Sequence, residues 1–160
     1  MGVDPGLRVT GYGVVDLRVG QLEPRLVEGG TVQMKPRRSL EKRLATLHTD
    51  LAALIAELKP DRVVVEQLFS HYAHPRTAIL MGHARGVILL AAAQAGLEVT
   101  ALRPTEVKKS LTGNGHATKE QMQQVVASQL GLAAPPRPAD VADAIAITLC
   151  AGRRLSLAAM

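Results

Sequence analysis

The feature that most constrains the fold is the run Val63–Phe69, which reads Val-Val-Val-Glu-Gln-Leu-Phe. Three consecutive β-branched residues predict a strand that is buried on both faces of a sheet. A carboxylate at the end of such a strand costs free energy unless a cation pairs with it, so Glu66 requires a positively charged partner. From this stretch alone, Glu66 could also be the first solvated residue after the strand, or the partner of an arginine.

The composition indicates one compact domain in a reducing compartment. The 160 residues are 47% hydrophobic, so we expect a single domain over 1–160, with disorder from about residue 154. Nineteen Lys and Arg against 14 Asp and Glu give a net charge of +5, which favours a polyanionic partner but also fits a basic surface without a ligand. The single cysteine, Cys150, excludes a disulfide framework. No signal segment opens the chain and no apolar run approaches ~20 residues, so we expect a cytoplasmic protein with no membrane contact.

The pattern along the chain predicts an α/β fold. Five strands are predicted: up to Asp4, over 11–17, over 25–32, around Glu66 and over 97–102. Five helices are predicted. The first runs from a Ser39 cap to Pro60, the second over 75–95, the third over 104–111, the fourth from a Thr118 and Gln121 capping box to Gly131, and the fifth over 139–153. The first helix permits a right-handed crossover that sets the fourth strand beside the first. Asp4 and Glu66 then lie at the same end of neighbouring parallel strands, where open α/β sheets form their sites.

The second predicted helix carries small residues on one face, namely Ala78, Gly82 and Gly86. Such residues let another backbone approach closely. Two explanations stay open at this point: the helix crosses the sheet tightly, or it forms a subunit interface.

The last predicted helix adds two carboxylates. Asp140 and Asp143 are three residues apart and hence lie on one helix face. Both fall in the first turns, where the helix dipole favours acids, so Asp140 alone could be ordinary N-terminal decoration. The apolar neighbours of Asp143 indicate a packed helix instead. Together with Asp4 and Glu66, these residues predict four carboxylates at one edge of the sheet.

Such a cluster requires cations or raised pKa values. Two unit charges ~4 Å apart repel by ~4 kcal/mol at an effective dielectric of about 20. Oxygen ligands without a Cys or His cluster suit Mg²⁺ or Mn²⁺. Two such ions ~3.5–4 Å apart can activate water and stabilise the leaving oxygen in phosphodiester hydrolysis.

Three motifs carry a resemblance to a known family. Residues 4–13 read Asp-Pro-Gly-Leu-Arg-Val-Thr-Gly-Tyr-Gly, residues 66–69 read Glu-Gln-Leu-Phe and residues 139–144 read Ala-Asp-Val-Ala-Asp-Ala. In this order, over nearly the whole chain, they resemble the RuvC family of bacterial Holliday-junction resolvases. The resemblance implies a ribonuclease-H-like fold with a five-stranded mixed sheet flanked by helices. It also implies a homodimer that cuts four-way DNA junctions with Mg²⁺, two ions per site and Mn²⁺ possible, and that works with a branch-migration helicase.

The resemblance also implies roles for individual residues. Asp4, Glu66, Asp140 and Asp143 fall on the four acidic positions, which are catalytic and metal-binding; some members carry His at the position of Asp140. The resemblance implies that Phe69, Lys108 and Lys119 bind DNA. We add Tyr72, which closely follows Glu66, and the basic Arg76 as DNA-binding candidates from the sequence alone. Phe69 matches a residue that wedges or stacks on bases, where stacking contributes ~1–3 kcal/mol per base. Without the resemblance, solvated helix residues would be the favoured interpretation of the two lysines, and core filling would be the alternative for Phe69.

Two other functions fit parts of the sequence. Asp4, Gly6, Thr10 and Gly11 also match the phosphate hairpin of actin and sugar-kinase type ATP-binding phosphotransferases, although those proteins pair two such domains. A basic scaffold that holds junctions without cutting them is the second alternative. It would not need four acids beside the DNA, because they repel phosphate when no metal is bound.

Overall fold

The computed structural model describes residues 1–18, 24–68 and 75–158, with side chains described up to residue 156. Five strands form one mixed sheet in the order β3-β2-β1-β4-β5. Their bounds are β1 Gly2–Asp4, β2 Val9–Asp16, β3 Arg25–Gln33, β4 Arg62–Glu66 and β5 Glu98–Leu102. The first three strands form an antiparallel meander, while β4 is parallel to both β1 and β5. The predicted fold class and the predicted place of the fourth strand beside the first are therefore confirmed.

Within the described residues, five helices cover the two faces of the sheet. Their bounds are α1 Leu40–Leu58, α2 Pro75–Gln94, α3 Pro104–Thr112, α4 Lys119–Gln129 and α5 Ala139–Ala158. Ser39 is the N-cap residue of α1, as predicted, but the capping hydrogen bond is absent, because the Ser39 side chain accepts no backbone hydrogen bond and donates to the Glu41 carboxylate instead. The capping box of Thr118 and Gln121 is confirmed at α4. At its end, α5 continues to Ala158, five residues beyond the predicted 153.

The run of valines in β4 divides the core into two layers. Val63 and Val65 are fully buried on the side of α1 and α2, where they pack with Leu47, Leu51 and Ile88. Val64 faces the other side and packs with residues of α3, α4 and α5. Alternate side chains of a strand point to opposite faces, so β4 is covered on both. The predicted doubly buried strand is thereby confirmed.

Helix α2 combines an apolar composition with limited burial. By length and composition it would suffice to cross a membrane, but one such helix is weak evidence, because core helices of soluble proteins meet the same criterion. Ala84, Ile88, Ala91 and Ala92 of this helix are buried against the rest of the chain. Its glycines lie on the other side, since a Cβ added at Gly82 or Gly86 would meet nothing within 4 Å. A tight crossing over the sheet therefore does not explain the stripe of small residues.

Candidate active site

Two of the predicted acids lie at the ends of adjacent strands. β1 ends at Asp4 and β4 ends at Glu66. In the parallel pairing of these strands Val3 lies opposite Val65, so one further step of the register brings Asp4 beside Glu66. Both carboxylates are half-buried. The sequence prediction that they share one edge of the sheet follows from this pairing.

Glycines of β1 and β2 let α5 lie directly on the strands. A Cβ on Gly11 would lie 2.1 Å from the backbone oxygen of Asp140, and a Cβ on Gly13 would lie 2.5 Å from Cγ1 of Ile145. Gly11 is the β2 residue that pairs with Asp4. The start of α5, and with it Asp140, is therefore held against the strand residue next to Asp4.

A buried hydroxyl fixes α5 on the same strands. Oγ1 of Thr148 lies 3.1 Å from the carbonyl oxygen of Gly13 and 2.9 Å from that of Ala144, so it donates to the backbone of β2 or of its own helix. The residue is buried, and a Cβ on Gly2 would lie 2.2 Å from this hydroxyl. Thr148 thus fixes the position of α5 along β2, which determines where the N-terminal turns of the helix place Asp140 and Asp143.

Burial and neighbouring charges perturb Asp4 and Glu66 at this edge. The pKa of Asp4 is raised from 3.8 to about 8, first by burial and then by the charges of Glu66, Asp143 and Asp140. The pKa of Glu66 is also raised, by burial and by Asp143, against the opposing effect of Lys108 and Lys119. Perturbed carboxylates of this kind concentrate at functional sites. The other three predicted acids therefore lie within electrostatic reach of Asp4.

A lysine pairs with the cluster. Nζ of Lys119 lies 2.9 Å from Oδ2 of Asp143, and its pKa is raised chiefly by this hydrogen bond. Lys119 is the first residue of α4. Lys108, on α3, is half-buried and close enough to lower the pKa of Glu66. Both predicted lysines therefore stand beside the acids, although the prediction for each was contact with DNA.

The turn that follows Asp4 is held by side-chain hydrogen bonds. Oγ1 of the fully buried Thr10 donates to the Gly6 oxygen at 2.7 Å and accepts from the Gly6 amide at 3.2 Å. The guanidinium of Arg43, on α1, donates to the carbonyl oxygen of Leu7 through Nε at 3.0 Å and also through Nη2. The backbone on which Asp4 ends is therefore fixed from two sides.

Of the other predicted DNA-binding residues, one is described by the structure and two are not. Arg76 is exposed in the first turn of α2. Phe69 and Tyr72 lie outside the described residues. Arg85 donates from Nε to the carbonyl oxygen of Glu66 at 3.2 Å, so it supports the end of β4.

The acids lie away from the large cavity among the described residues. This cavity of about 890 Å³ lies between the start of β4 and the C-terminal part of α5, and none of the four acids lines it. Small-molecule sites are usually concave, so this cavity does not link the acids to a small-molecule substrate.

The residues fit a hard divalent cation by donor type. Four carboxylates offer oxygen ligands of the kind that Mg²⁺ and Mn²⁺ prefer, and their mutual repulsion favours a cation among them. Within the three described segments, however, no group of three or more Asp, Glu, His or Cys side chains is gathered closely enough to hold an ion. The assignment of the four acids as metal ligands stays a prediction, and a bound ion would require the side chains to move together.

Three side chains that hold the backbone of the site were not predicted from the sequence. The hydroxyl of Thr148 and the guanidiniums of Arg43 and Arg85 act on backbone atoms that are remote in sequence, so no local pattern shows them. One signal was readable: Gly11 and Gly13 are two residues apart in a predicted strand, so they open the same face of the sheet. Two such glycines indicate a close backbone contact on that face.

A five-stranded mixed sheet with helices on both faces and carboxylates at the ends of its central strands defines a ribonuclease-H-like nuclease fold. The family model described as crossover junction endodeoxyribonuclease RuvC matches residues 1–151. The chain therefore belongs to the RuvC family of crossover junction endodeoxyribonucleases.

Individual relatives agree with this family. The crossover junction endodeoxyribonuclease RuvC of Rhodopirellula baltica is 53% identical over 152 residues, covering 94% of this chain and 83% of the relative. That of Heliobacterium modesticaldum is 42% identical, covering 98% and 94%. The structure of Thermus thermophilus RuvC in complex with a Holliday junction substrate superposes with a TM-score of 0.91 at 36% identity, covering 98% of this chain and 94% of the other. These matches do not favour the ATP-binding phosphotransferase or the non-catalytic scaffold.

Proposed function

We propose that this chain is a structure-selective endonuclease that resolves four-way DNA junctions in recombination and DNA repair. It hydrolyses phosphodiester bonds with the help of divalent metal and leaves 5′-phosphate and 3′-hydroxyl ends. The observation that carries the proposal is the perturbation of Asp4, whose pKa is raised to about 8 by burial and by three other carboxylates at the same sheet edge. The family match and the similarity to a junction-bound RuvC structure support the choice of substrate.

Asp4, Glu66, Asp140 and Asp143 would hold the metal, which we take to be Mg²⁺, with two ions per site; Mn²⁺ fits the same ligands. When bound, these ions activate a water and stabilise the departing oxygen. Asp4 keeps a proton near neutral pH in the metal-free protein, because its pKa is about 8, so loading the site releases that proton. Burial of Asp4 and Glu66 limits the water around them and strengthens their attraction for cations.

The basic residues would position the DNA. Lys108 and Lys119 flank the acids from α3 and α4, so their ammonium groups can meet a phosphate that approaches this edge. Arg76, Phe69 and Tyr72 would contact the junction from the segment that follows β4. The excess of five positive charges favours a polyanion over the whole surface.

Resolution of a four-way junction needs two cuts, so two copies of the site suit the reaction, and we propose a homodimer formed through α2. Ile79 is 63% exposed and Leu90 is 50% exposed on this helix. With Gly82 and Gly86 they recur at spacings of three and four residues, which places them on one helix face. Glycines in such a face let two helices approach closely.

We place the dimer in the cytoplasm, with a branch-migration helicase as its partner.

A cleavage assay tests the proposal. A synthetic four-way junction and a linear duplex of the same arm sequence are incubated with the protein, with and without Mg²⁺. We expect metal-dependent cutting of the junction only. Asp4→Asn and Glu66→Gln should lower the rate by about 1,000-fold or more, a loss typical of removed catalytic groups, while junction binding survives.

Asp16→Asn is the matched control, because Asp16 is a carboxylate on β2 that pairs with Arg18 at 3.5 Å and Arg25 at 3.9 Å, away from the other acids. It should cut at the wild-type rate. Near wild-type cutting by Asp4→Asn or Glu66→Gln would refute the assignment of the site.

A further inference from the structure

The ion pair of Lys119 and Asp143 occupies the place where a cation is needed. Nζ of Lys119 and Oδ2 of Asp143 are 2.9 Å apart, and the two side chains are 55% and 29% exposed. Lys119 is also close enough to lower the pKa values of Asp4 and Glu66. One ammonium therefore offsets the repulsion among several carboxylates in the metal-free protein.

The position of Lys119 is set by a rigid helix start. Thr118 accepts from the Gln121 amide at 3.2 Å and its own amide donates to the Gln121 side chain at 2.9 Å. This capping box fixes the first turn of α4, so the long side chain of Lys119 can turn without moving the helix. More than half of that side chain is exposed, which leaves space for such a turn.

We propose that Lys119 is an exchangeable counter-cation: divalent metal displaces its ammonium from Asp143, and the released ammonium then becomes available to the DNA phosphate. The inference rests on the proposed metal-dependent function. It follows from charge and space, because a divalent ion on Asp143 repels an ammonium bonded to the same carboxylate. Lys119 is thus a positioning residue that links metal loading to DNA binding, in addition to any contact with the substrate.

Lys108 provides the internal comparison. It also acts on Glu66 electrostatically, but it forms no ion pair with any carboxylate among residues 1–18, 24–68 and 75–156. A general effect of positive charge on metal binding would appear at both lysines. Competition for one carboxylate would appear at Lys119 alone.

The first test follows the amine of Lys119 in the wild-type protein without DNA. The protein is treated briefly with acetic anhydride, without metal and with saturating Mg²⁺, and acetylation of each lysine is read by mass spectrometry. We expect Mg²⁺ to raise the acetylation rate of Lys119 several-fold and to leave that of the exposed Lys42 unchanged. Equal or slower acetylation of Lys119 in the presence of Mg²⁺ would overturn the exchange.

The second test measures Mg²⁺ affinity by calorimetry, again without DNA. Lys119→Met keeps the aliphatic stem and removes the competitor, so we expect its Kd for Mg²⁺ to fall about threefold to tenfold, which is ~0.7–1.4 kcal/mol at 1.4 kcal/mol per factor of ten. Lys108→Met should change the Kd by less than about twofold, since it breaks no ion pair.

The outcomes separate this inference from the function on which it rests. If the wild type binds Mg²⁺ and Lys119→Met binds it no more tightly, the exchange is wrong and the proposed nuclease stands. If neither protein binds Mg²⁺ or Mn²⁺, the proposed metal site fails, and the exchange fails with it.

Discussion

Glycines on the two sides of the sheet have opposite surroundings. Under α5, a Cβ on Gly2, Gly11 or Gly13 would collide with atoms of that helix at 2.1–2.5 Å. On the outer side of α2, a Cβ on Gly82 or Gly86 would meet nothing within 4 Å. The first set is required by the packing of this chain itself. No contact among the described residues requires the second set, which is why we assign it to a second copy of the chain.

The difference shows how precisely each region must be built. At Gly11 the nearest atoms of α5 are main-chain atoms of Asp140, which cannot move aside as a flexible side chain can, so main-chain contact fixes the position of Asp140 relative to Asp4. The layer of α1 and α2 packs through large side chains such as Leu47 and Ile88, which can repack after a change of volume. The relative positions of the acids therefore depend on the face of the sheet that carries Gly2, Gly11 and Gly13.

The largest effect is expected for Gly11→Ala. The added methyl would lie 2.1 Å from the Asp140 oxygen, so α5 must move away from β2. We expect a loss of about 3 kcal/mol or more in unfolding free energy, at the upper end of single substitutions, and junction cleavage reduced by at least ~100-fold, because misplacement by about 1 Å has that effect. Denaturant unfolding and the cleavage assay measure both.

Gly82→Ala is the matched control for this prediction. It adds the same methyl to open space within a helix, where Ala is favoured by ~1 kcal/mol. At concentrations that keep the chain monomeric, we expect stability to stay equal or rise. Similar losses in both variants would remove the distinction between the two sets of glycines.

A smaller change in unfolding free energy is expected when the charge of Asp4, at the edge where the acids meet, is removed. The folded pKa of Asp4 is about 8 and its ordinary value is 3.8, so between these pH values the folded state holds a proton that the unfolded state has released. Without metal, stability therefore falls as pH rises through this window and levels off above pH 8. Asp4→Asn should be more stable than wild type at high pH, by about 1–3 kcal/mol after allowance for solvent screening.

Thermal unfolding of both proteins in a metal chelator, at intervals from acid to alkaline pH, measures this difference. The advantage of Asp4→Asn should shrink towards the low end of the window. An advantage that does not vary with pH would mean that burial and the neighbouring acids do not raise the pKa of Asp4.

The smallest effect, on the free energy of dimer association, is expected for the exposed glycines of α2. Gly86→Leu should raise the dissociation constant of the dimer about tenfold, or ~1.4 kcal/mol, because a side chain separates the two helices. Ala53→Leu, at an exposed position of α1, is the control and should leave association unchanged. Sedimentation at a series of concentrations reads both. Unchanged association of Gly86→Leu would mean that the glycines of α2 serve another purpose.

Much of the fold was readable from local pattern. Three valines before Glu66 predicted the doubly buried strand, and the helix between the third and fourth strands predicted the parallel pair of β1 and β4. The site residues were reached by combining such positions with the family motifs. The predicted capping hydrogen bond of Ser39 is absent, because a residue type that is common at helix starts does not ensure that bond. The Ser39 hydroxyl donates to the carboxylate of Glu41 instead.

The sequence by itself determined the sequence of strands and helices along the chain, the doubly buried fourth strand and the set of four acids, because hydrophobic period and strand ends are local properties of the chain. Only the tertiary structure decided how closely α5 lies on β2 and that Lys119 pairs with Asp143. The same is true of the hydrogen bonds by which Thr148 holds α5 on β2 and Arg85 holds the end of β4. Those contacts join residues from 19 to 135 positions apart along the chain. Their formation depends on the packed arrangement of whole elements, which no short stretch of sequence encodes.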